Sequence, residues 1–337
     1  MKEAMFYTPG RGDRVHCHLC AHHCVIDPGG RGKCRVRENR FGVLYSLVYN
    51  KAVAVSVDPI EKKPLYHFLP GSRAFSIATM GCNFVCRFCQ NCAISQPEET
   101  IYGTDMPADE VVDQALRQGC QAITYTYTEP TIYFEYAYDI AILARRAGLA
   151  NVFVSNGFIA EEPLRVIAPF LNAANIDLKS CNDDFYRKVV GGRLRPVQDA
   201  IRSYHAHGIF LEITTLLLPG ENDSDEELRS IAAFIVSVNP LIPWHVSRFY
   251  PRHQMQDTPV TPAATLERAV RIGREEGLAF VYAGNLPATD LESTFCPHCR
   301  HRLIHREGYA IKAMDLDGNR CPACATEIPL VLGLPPG

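Results

Sequence analysis

Nowhere does the 337-residue chain carry an apolar run near the roughly 18 residues that crossing a bilayer requires, so no membrane span is expected. The opening residues, MKEAMFYTPG, have no apolar stretch of the kind a secretory leader needs. An excess of one charge is missing too. The 34 Lys and Arg against 37 Asp and Glu leave a formal net charge of -3, which argues against broad attraction to nucleic acid or membrane and leaves only a local patch for such binding. No internal repeat or low-complexity tract is present. These absences point to a cytoplasmic globular chain. With 47% hydrophobic and 21% charged residues, it is long enough for one large domain with appendages, or for two domains.

Cysteine, in contrast, is abundant. There are 14, and twelve fall in three clusters: Cys17, Cys20, Cys24 and Cys34; Cys82, Cys86, Cys89 and Cys92; Cys296, Cys299, Cys321 and Cys324. Only Cys120 and Cys181 stand apart. Gaps of two or three residues suit thiolates converging on one ion or cluster, whereas disulfides usually join distant segments.

The chain divides by pattern. Residues 1–40, rich in Cys, His, Gly and Arg with little periodicity, read as a loop-built metal module. In 41–73, a β-hairpin is expected over 41–58 with its turn at Asn50-Lys51, followed by a proline-bearing linker over 59–73. From 74 to 285, apolar strands at 74–79, 121–126, 151–155, 173–178, 209–217, 244–249 and 278–283 alternate with amphipathic helices at 107–118, 131–147, 161–169, 197–207, 224–238 and 263–276. Repeated β–α units of this kind build an α/β fold, a partial (β/α)6 TIM-like barrel of six or seven units, with chemistry at the C-terminal ends of the strands. Residues 286–337 read as a small β-rich knuckle whose tail, from Pro329 to Gly337, is expected to fray.

The sharpest motif is ATMGCNFVCRFCQNC. Cys82, Cys86 and Cys89 form C-x3-C-x2-C directly after the first barrel strand. Three thiolates leave one iron of a cubane cluster open to a substrate or cosubstrate. Phe88 would pack against a planar group such as adenine. The plain alternative is a structural zinc site with Cys92 as fourth ligand. At the N-terminus, Cys17, Cys20, Cys24 and Cys34 make a closed four-thiolate set, with His16, His18, His22 and His23 as replacement ligands; zinc and a second [4Fe–4S] cluster are both open. At the C-terminus, two C-x2-C pairs read as a zinc ribbon, with rubredoxin-like iron as the alternative. Arg300, His301, Arg302, His305, Arg306 and Lys312 make this ribbon locally basic. That suits a partner or nucleic acid, or simply a solvated face. Farther along the barrel, His245 is a candidate proton donor and Arg248 a candidate bidentate ligand for carboxylate or phosphate. Ser247, Tyr282, Gly284 and Asn285 are rim candidates.

The cysteine loop resembles that of the radical S-adenosylmethionine (SAM) superfamily. The resemblance implies a [4Fe–4S] cluster on Cys82, Cys86 and Cys89 that cleaves SAM to a 5′-deoxyadenosyl radical. Tyr127-Thr128-Glu129-Pro130 is similar to the superfamily's Gly-Gly-Glu-Pro, so Glu129 would receive the methionyl ammonium, with Thr128 in place of a glycine. Ser155-Asn156-Gly157 would lie near the cosubstrate ribose or carboxylate. Asp177-Leu178-Lys179 resembles the Asp-Leu-Lys of glycyl-radical-enzyme activases, where the Asp helps to bind a cation and the Lys lies at the active site; Val154 stands where that pattern has another Asp. Nearly the whole chain resembles the radical SAM enzymes of the AmmeMemoRadiSam system, related to pyruvate formate-lyase activating enzymes. The carrying segments are CHLCAHHCVIDPGGRGKCRVREN (17–39), DPIEKKPLYHFLPG (58–71), GCNFVCRFCQNCAISQ (81–96), WHVSRFYP (244–251) and YAGN (282–285). Cys92 departs from that family's Trp. The resemblance further implies a low-potential donor, flavodoxin or ferredoxin, and AMMECR- and Memo-type partners. The radical would act on a small molecule, lipid, peptide or RNA, or place a glycyl radical on a partner protein. A zinc-bearing scaffold protein is the reading outside enzymes.

Overall fold

In the computed structural model, which describes residues 1–98, 100–286 and 290–334, seven parallel strands pair in chain order. They are Arg73–Ala78, Ala122–Tyr125, Ala150–Ser155, Ala173–Asp177, Phe210–Leu217, Trp244–Arg248 and Val281–Gly284. The strand Ala54–Pro59 pairs antiparallel with the first of them and ends the sheet. The two terminal strands do not pair with each other, so the barrel is partial.

The strands are nearly continuous apolar runs because helices cover one face and the barrel interior the other. Ala122–Tyr125 is buried at every position. The helices bury single stripes. Ala108–Arg117 turns Val111, Val112 and Ala115 inward, starts after Pro107, and ends just before Gly119, whose φ of 64° an L residue adopts at a cost. The remaining helices include Phe134–Arg146, Glu161–Ile167, Leu194–Ala206, Asp225–Val238 and Ala263–Glu275. None among the described residues is long and apolar enough to cross a membrane.

The regions flanking the barrel differ from expectation. No hairpin forms over 41–58. Val43–Ser46 pairs backward with Arg37–Arg40, because Phe41 and Gly42 both adopt positive φ (53° and 84°), the left-handed pair that closes a two-residue hairpin. Asn50 is a turn, as read, but Lys51–Ala52 then pairs with Thr104–Asp105. The N-terminal 40 residues are strand-built rather than loop-built, with Tyr7–Pro9, Val15–Cys17 and Val25–Ile26 forming one small sheet.

The expected linker is a plug. The parallel strands begin on small residues, and Ala74, Ala122, Ala150 and Ala173 leave room for Ile60, Leu65, Phe68 and Leu69 to fill the N-terminal mouth of the barrel. Its main chain is anchored by Glu212, which accepts from Tyr66 N (3.0 Å) and His67 N (2.8 Å).

The C-terminal segment does form a small antiparallel sheet, Thr294–Phe295, Arg302–Glu307 and Ala310–Met314. Its tail does not fray over Pro329–Val331: Val331 N donates to His67 O (2.9 Å) and Leu69 N to Val331 O (2.7 Å). Residues 335–337 lie outside the described residues. The basic patch of the ribbon is largely neutralised. Arg306 is buried and donates to Thr294 Oγ1 (2.7 Å) and Tyr66 O (2.6 Å), fastening the ribbon to the plug. His301, Arg302 and Lys312 lie against Asp315, Asp290 and Glu307.

Candidate active site

Chemistry gathers where the parallel strands end. The loop after the first strand bends at Gly81 (φ 100°), where a Cβ would come within 2.6 Å of Val36 Cγ1 and 2.9 Å of Cys34 O; only glycine lets the N-terminal module approach this closely. The loop is then pinned to the turn that follows the fourth strand: Val85 N and Arg87 N donate to Val190 O and Val189 O (both 2.9 Å), at the end of the π-helical turn Tyr186–Val190.

A cavity of about 310 Å³ results. Cys82, Cys86, Cys89, Phe88, Thr128, Glu129, Ser155, Asn156, Asp177 and Lys179 all line it, so ten of the sequence candidates converge from four separate segments. Cys92 is not among the lining residues and opens the short helix Cys92–Ser95 instead.

Glu129 is the electrostatic centre. Its carboxylate is 1% exposed. Oε1 accepts from Thr131 N (3.0 Å), Thr131 Oγ1 (2.6 Å) and Ser155 Oγ (2.8 Å), whereas Oε2 accepts, among the described residues, only from Asn156 N (2.8 Å). A carboxylate oxygen with one donor keeps acceptor capacity for an incoming ammonium. Burial raises its pKa, against the lowering by the Thr131, Asn156 and Ser155 donors. Asn156 also orders the cluster loop, donating from Nδ2 to Asn83 Oδ1 (2.8 Å) and lying 3.7 Å from Cys82 Sγ. Thr128 is turned to Thr79 O (2.9 Å).

Lys179 and Asp177 form an ion pair (2.8 Å) at the cavity wall, with Lys179 Nζ 5.7 Å from the centre of the Phe88 ring. Burial opposes the Lys179 charge, but Asp177 and Cys86 outweigh it and hold the ammonium protonated. Burial pushes the bare Cys86 thiol up to about 12 and the Cys82 thiol well above its usual range.

The residues present fit an open cubane cluster with a cosubstrate beside it. Three thiol-bearing residues share the cavity without a fourth, and Thr214 Oγ1, buried and without a hydrogen-bond partner among the described residues, lines the same space.

His245 and Arg248 fall elsewhere. His245 is the second residue of its strand rather than near the end, and its Nε2 meets buried Glu212 Oε2 at 2.6 Å. It lines a second cavity of about 430 Å³, which shares Lys62, Gln90, Thr214, Ser247 and Asn285 with the first and is walled by Glu292 and Tyr309 of the C-terminal segment. Arg248 lines neither cavity. Its Nε donates to Thr261 O (2.8 Å) and its guanidinium lies over Tyr250.

Reasoning from the sequence passed over two groups. Asp58 gathers Lys63 Nζ (2.6 Å), Lys62 Nζ (2.8 Å) and Tyr127 Oη (2.6 Å), and both lysines reach the cavity. Burial opposes the Asp58 charge, but the two ammonium groups and Tyr127 hold its carboxyl well below the usual range. The adjacent lysines of DPIEKKPL were the available signal. Glu212, alone as a charge in the apolar run IFLEITTLL, was the other.

The C-terminal cysteines form a separate site. All four Sγ atoms lie within 4.8 Å of one another, with Cys296–Cys324 at 3.5 Å and Cys299–Cys321 at 3.6 Å.

A parallel partial barrel with three cysteines on the loop after its first strand defines an iron–sulfur radical enzyme class. Comparison with known proteins agrees. The profile of the radical SAM superfamily matches residues 76–232. An uncharacterised protein of Methanocaldococcus jannaschii is 44% identical over 98% of this chain and 100% of its own. The pyruvate formate-lyase-activating enzyme of Clostridium pasteurianum is 22% identical over 52% of this chain and 76% of its own. Among solved structures, Streptococcus suis SuiB bound to its precursor peptide SuiA superposes with a TM-score of 0.51 at 16% identity, covering 67% of this chain and 51% of that one. The chain belongs to the radical SAM superfamily, whose members use a [4Fe–4S] cluster and SAM.

Proposed function

We propose that the chain generates a 5′-deoxyadenosyl radical in the 310 Å³ cavity and uses it to take hydrogen from a small substrate held in the adjoining 430 Å³ cavity. The observation that carries this reading is that the two cavities adjoin, with Lys62, Thr214, Ser247 and Asn285 lining both and the C-terminal segment walling the second. In this reading Cys82, Cys86 and Cys89 hold the cluster. When bound, the cluster and SAM supply the electron and the C–S bond whose cleavage yields the radical. Glu129 Oε2 receives the methionyl ammonium, Asn156 orders the loop, and Phe88 offers a face to adenine. Lys179 stays charged beside the cluster thiolates and offsets their negative charge, while His245 and Lys62 face the substrate. The C-terminal set holds one tetrahedral ion, zinc or iron, and braces the wall of the substrate cavity.

We place the chain with the radical SAM enzymes of the AmmeMemoRadiSam system, with a flavodoxin or ferredoxin as reductant and AMMECR- and Memo-type proteins as partners. A second reading, installation of a glycyl radical on a partner protein, draws on the activating-enzyme relatives. The test is anaerobic reconstitution with iron and sulfide, addition of dithionite and SAM, and measurement of 5′-deoxyadenosine. Product from wild type and none from the triple Cys82→Ala, Cys86→Ala, Cys89→Ala variant is expected. A glycyl radical signal on an added partner would favour the second reading.

A further inference from the structure

We propose that Cys17, Cys20, Cys24 and Cys34 hold a second iron–sulfur cluster that passes electrons to the barrel loop, an assignment that rests on the radical SAM reading above.

The four thiols converge. A Cβ on Gly32 would stand 3.8 Å from both Cys24 Sγ and Cys34 Sγ, Cys17 N donates to Cys24 O (2.9 Å), and Cys20 lies within electrostatic reach of the other three. Their spacing separates them from the C-terminal set. A zinc ion with bonds of about 2.3 Å draws four sulfurs to roughly 3.8 Å apart, which is the arrangement of Cys296, Cys299, Cys321 and Cys324. Among the described residues no other group of thiols is gathered so tightly, neither the N-terminal four nor the three of the barrel loop. The N-terminal four are therefore not drawn together as a single zinc ion draws its ligands, which leaves room for a larger cluster.

A second observation points to an anionic centre there. Arg37 is 1% exposed and lies within electrostatic reach of Cys17 and Cys34. Its two terminal nitrogens are used by Glu135 (2.7 and 3.2 Å) and Met5 O (2.9 Å), but its Nε has no hydrogen-bond partner among the described residues. A buried N–H without a partner is costly. Sulfur of a metal–thiolate cluster would satisfy it, and hydrogen bonds to cluster sulfur are one means of setting a reduction potential.

Position supplies the role. Cys34 O packs against Gly81, next in sequence to Cys82. His22 Nε2 lies 2.7 Å from Asn83 O on the other side of Cys82, and Ala160 N donates to Leu19 O (3.1 Å) beside the end of the third strand. The outer face of the module borders a groove of about 990 Å³ carrying Lys33, Arg193, Arg195 and Arg202 against Asp183 and Asp199. This excess of positive charge suits the acidic face of a flavodoxin- or ferredoxin-class carrier. One electron enters the N-terminal cluster from the carrier, which is oxidised by one electron. The same electron leaves for the barrel cluster, so the N-terminal cluster returns to its starting state.

The test begins with metal. Anaerobically reconstituted wild type is expected to bind about eight iron per chain, and the Cys82→Ala, Cys86→Ala, Cys89→Ala variant about four, with an electron paramagnetic resonance signal that SAM leaves unchanged. About four iron and two zinc in wild type, with none of the iron surviving in the triple variant, would overturn the assignment. Eight iron in a wild type that fails to cleave SAM would leave the second cluster standing and sink the radical reading alone. Delivery is tested separately. Cys20→Ala/Cys24→Ala is expected to slow 5′-deoxyadenosine formation at least tenfold with reduced flavodoxin and under twofold with dithionite; equal slowing by both would refute the relay. Lys33→Glu/Arg193→Glu, which leaves the thiols intact, is expected to raise the KM for flavodoxin several-fold.

Discussion

The barrel loop and the C-terminal ribbon each present cysteines, and they present them differently. In the ribbon, two C-x2-C pairs on facing turns bring four sulfurs within 4.8 Å, enough to enclose one ion and leave no ligand position open. On the loop, three cysteines line a cavity among buried groups that, among the described residues, have spare capacity: Glu129 Oε2 with one donor, Thr214 Oγ1 with no partner, and Lys179 held charged. The first arrangement suits a structural ion, set beside the apolar cluster that Leu303, Ile304, Ile328 and Leu330 build against the barrel. The second keeps a metal position open for chemistry. The number of thiols and their spacing separate these roles better than the presence of cysteine does.

The comparison can be broken most sharply at Cys86. Cys86→Ala is expected to abolish SAM cleavage while the ion of the ribbon stays bound, as elemental analysis would read; loss of both together would merge the two sites into one folding unit. Cys321→Ser should act in the opposite sense. It removes a ligand that is 1% exposed, and the loss of a structural metal belongs to the class of changes costing roughly 4 kcal/mol or more. Thermal unfolding should shift strongly downward while the iron of the barrel loop is retained.

Glu129→Gln keeps the shape and removes the charge. SAM affinity is expected to fall about 10- to 100-fold, the value of a charge-assisted hydrogen bond, with the iron content unchanged in calorimetry on the reconstituted protein.

A smaller effect belongs to the seam between the barrel and the C-terminal segment. His67 of the plug lies there: Pro329 O can only accept, so Nδ1 (3.1 Å) carries the proton and Nε2 accepts from Tyr282 Oη (2.6 Å). Burial pushes its pKa down to about 4. The unfolded chain, near 6.5, therefore binds a proton that the folded chain refuses, so stability is complete above about pH 6.5 and declines as the pH falls toward 4. Denaturant midpoints at pH 7 and pH 5 should show the decline, and His67→Gln should flatten it. The smallest change is expected at Cys92, outside the cavity: Cys92→Ser should leave iron content and SAM cleavage within about twofold, in keeping with a surface substitution.

Much of this was legible along the chain. All seven parallel strands and the helices between them fall within a few residues of their expected positions, because unbroken apolar runs and 3.6-residue stripes are local signals. The cysteine loop and the ends of the next three strands also converge as read, since a parallel barrel brings strand ends together whatever lies between them. Errors occurred where pairing depended on distant partners. Val43–Ser46 chose Arg37–Arg40 because two left-handed residues at Phe41 and Gly42 turned it back. The proline-bearing stretch after Asp58 looked like a linker, yet a ring of alanines left a mouth for it to fill. Arg306 read as part of a basic surface and is an internal clasp.

The sequence by itself determined the alternation of strand and helix, the three cysteine sets, and the loop that carries the superfamily's chemistry. These rest on periodicity and on spacings of a few residues. Only the tertiary structure decided that Lys62, Lys63 and Asp58 reach the cavity, that Glu212 holds both His245 and the plug, that Arg248 faces away, and that the N-terminal cysteines abut the barrel loop. Each of those facts joins segments far apart in the chain, and such contacts are selected by shape, burial and the pairing of buried charge.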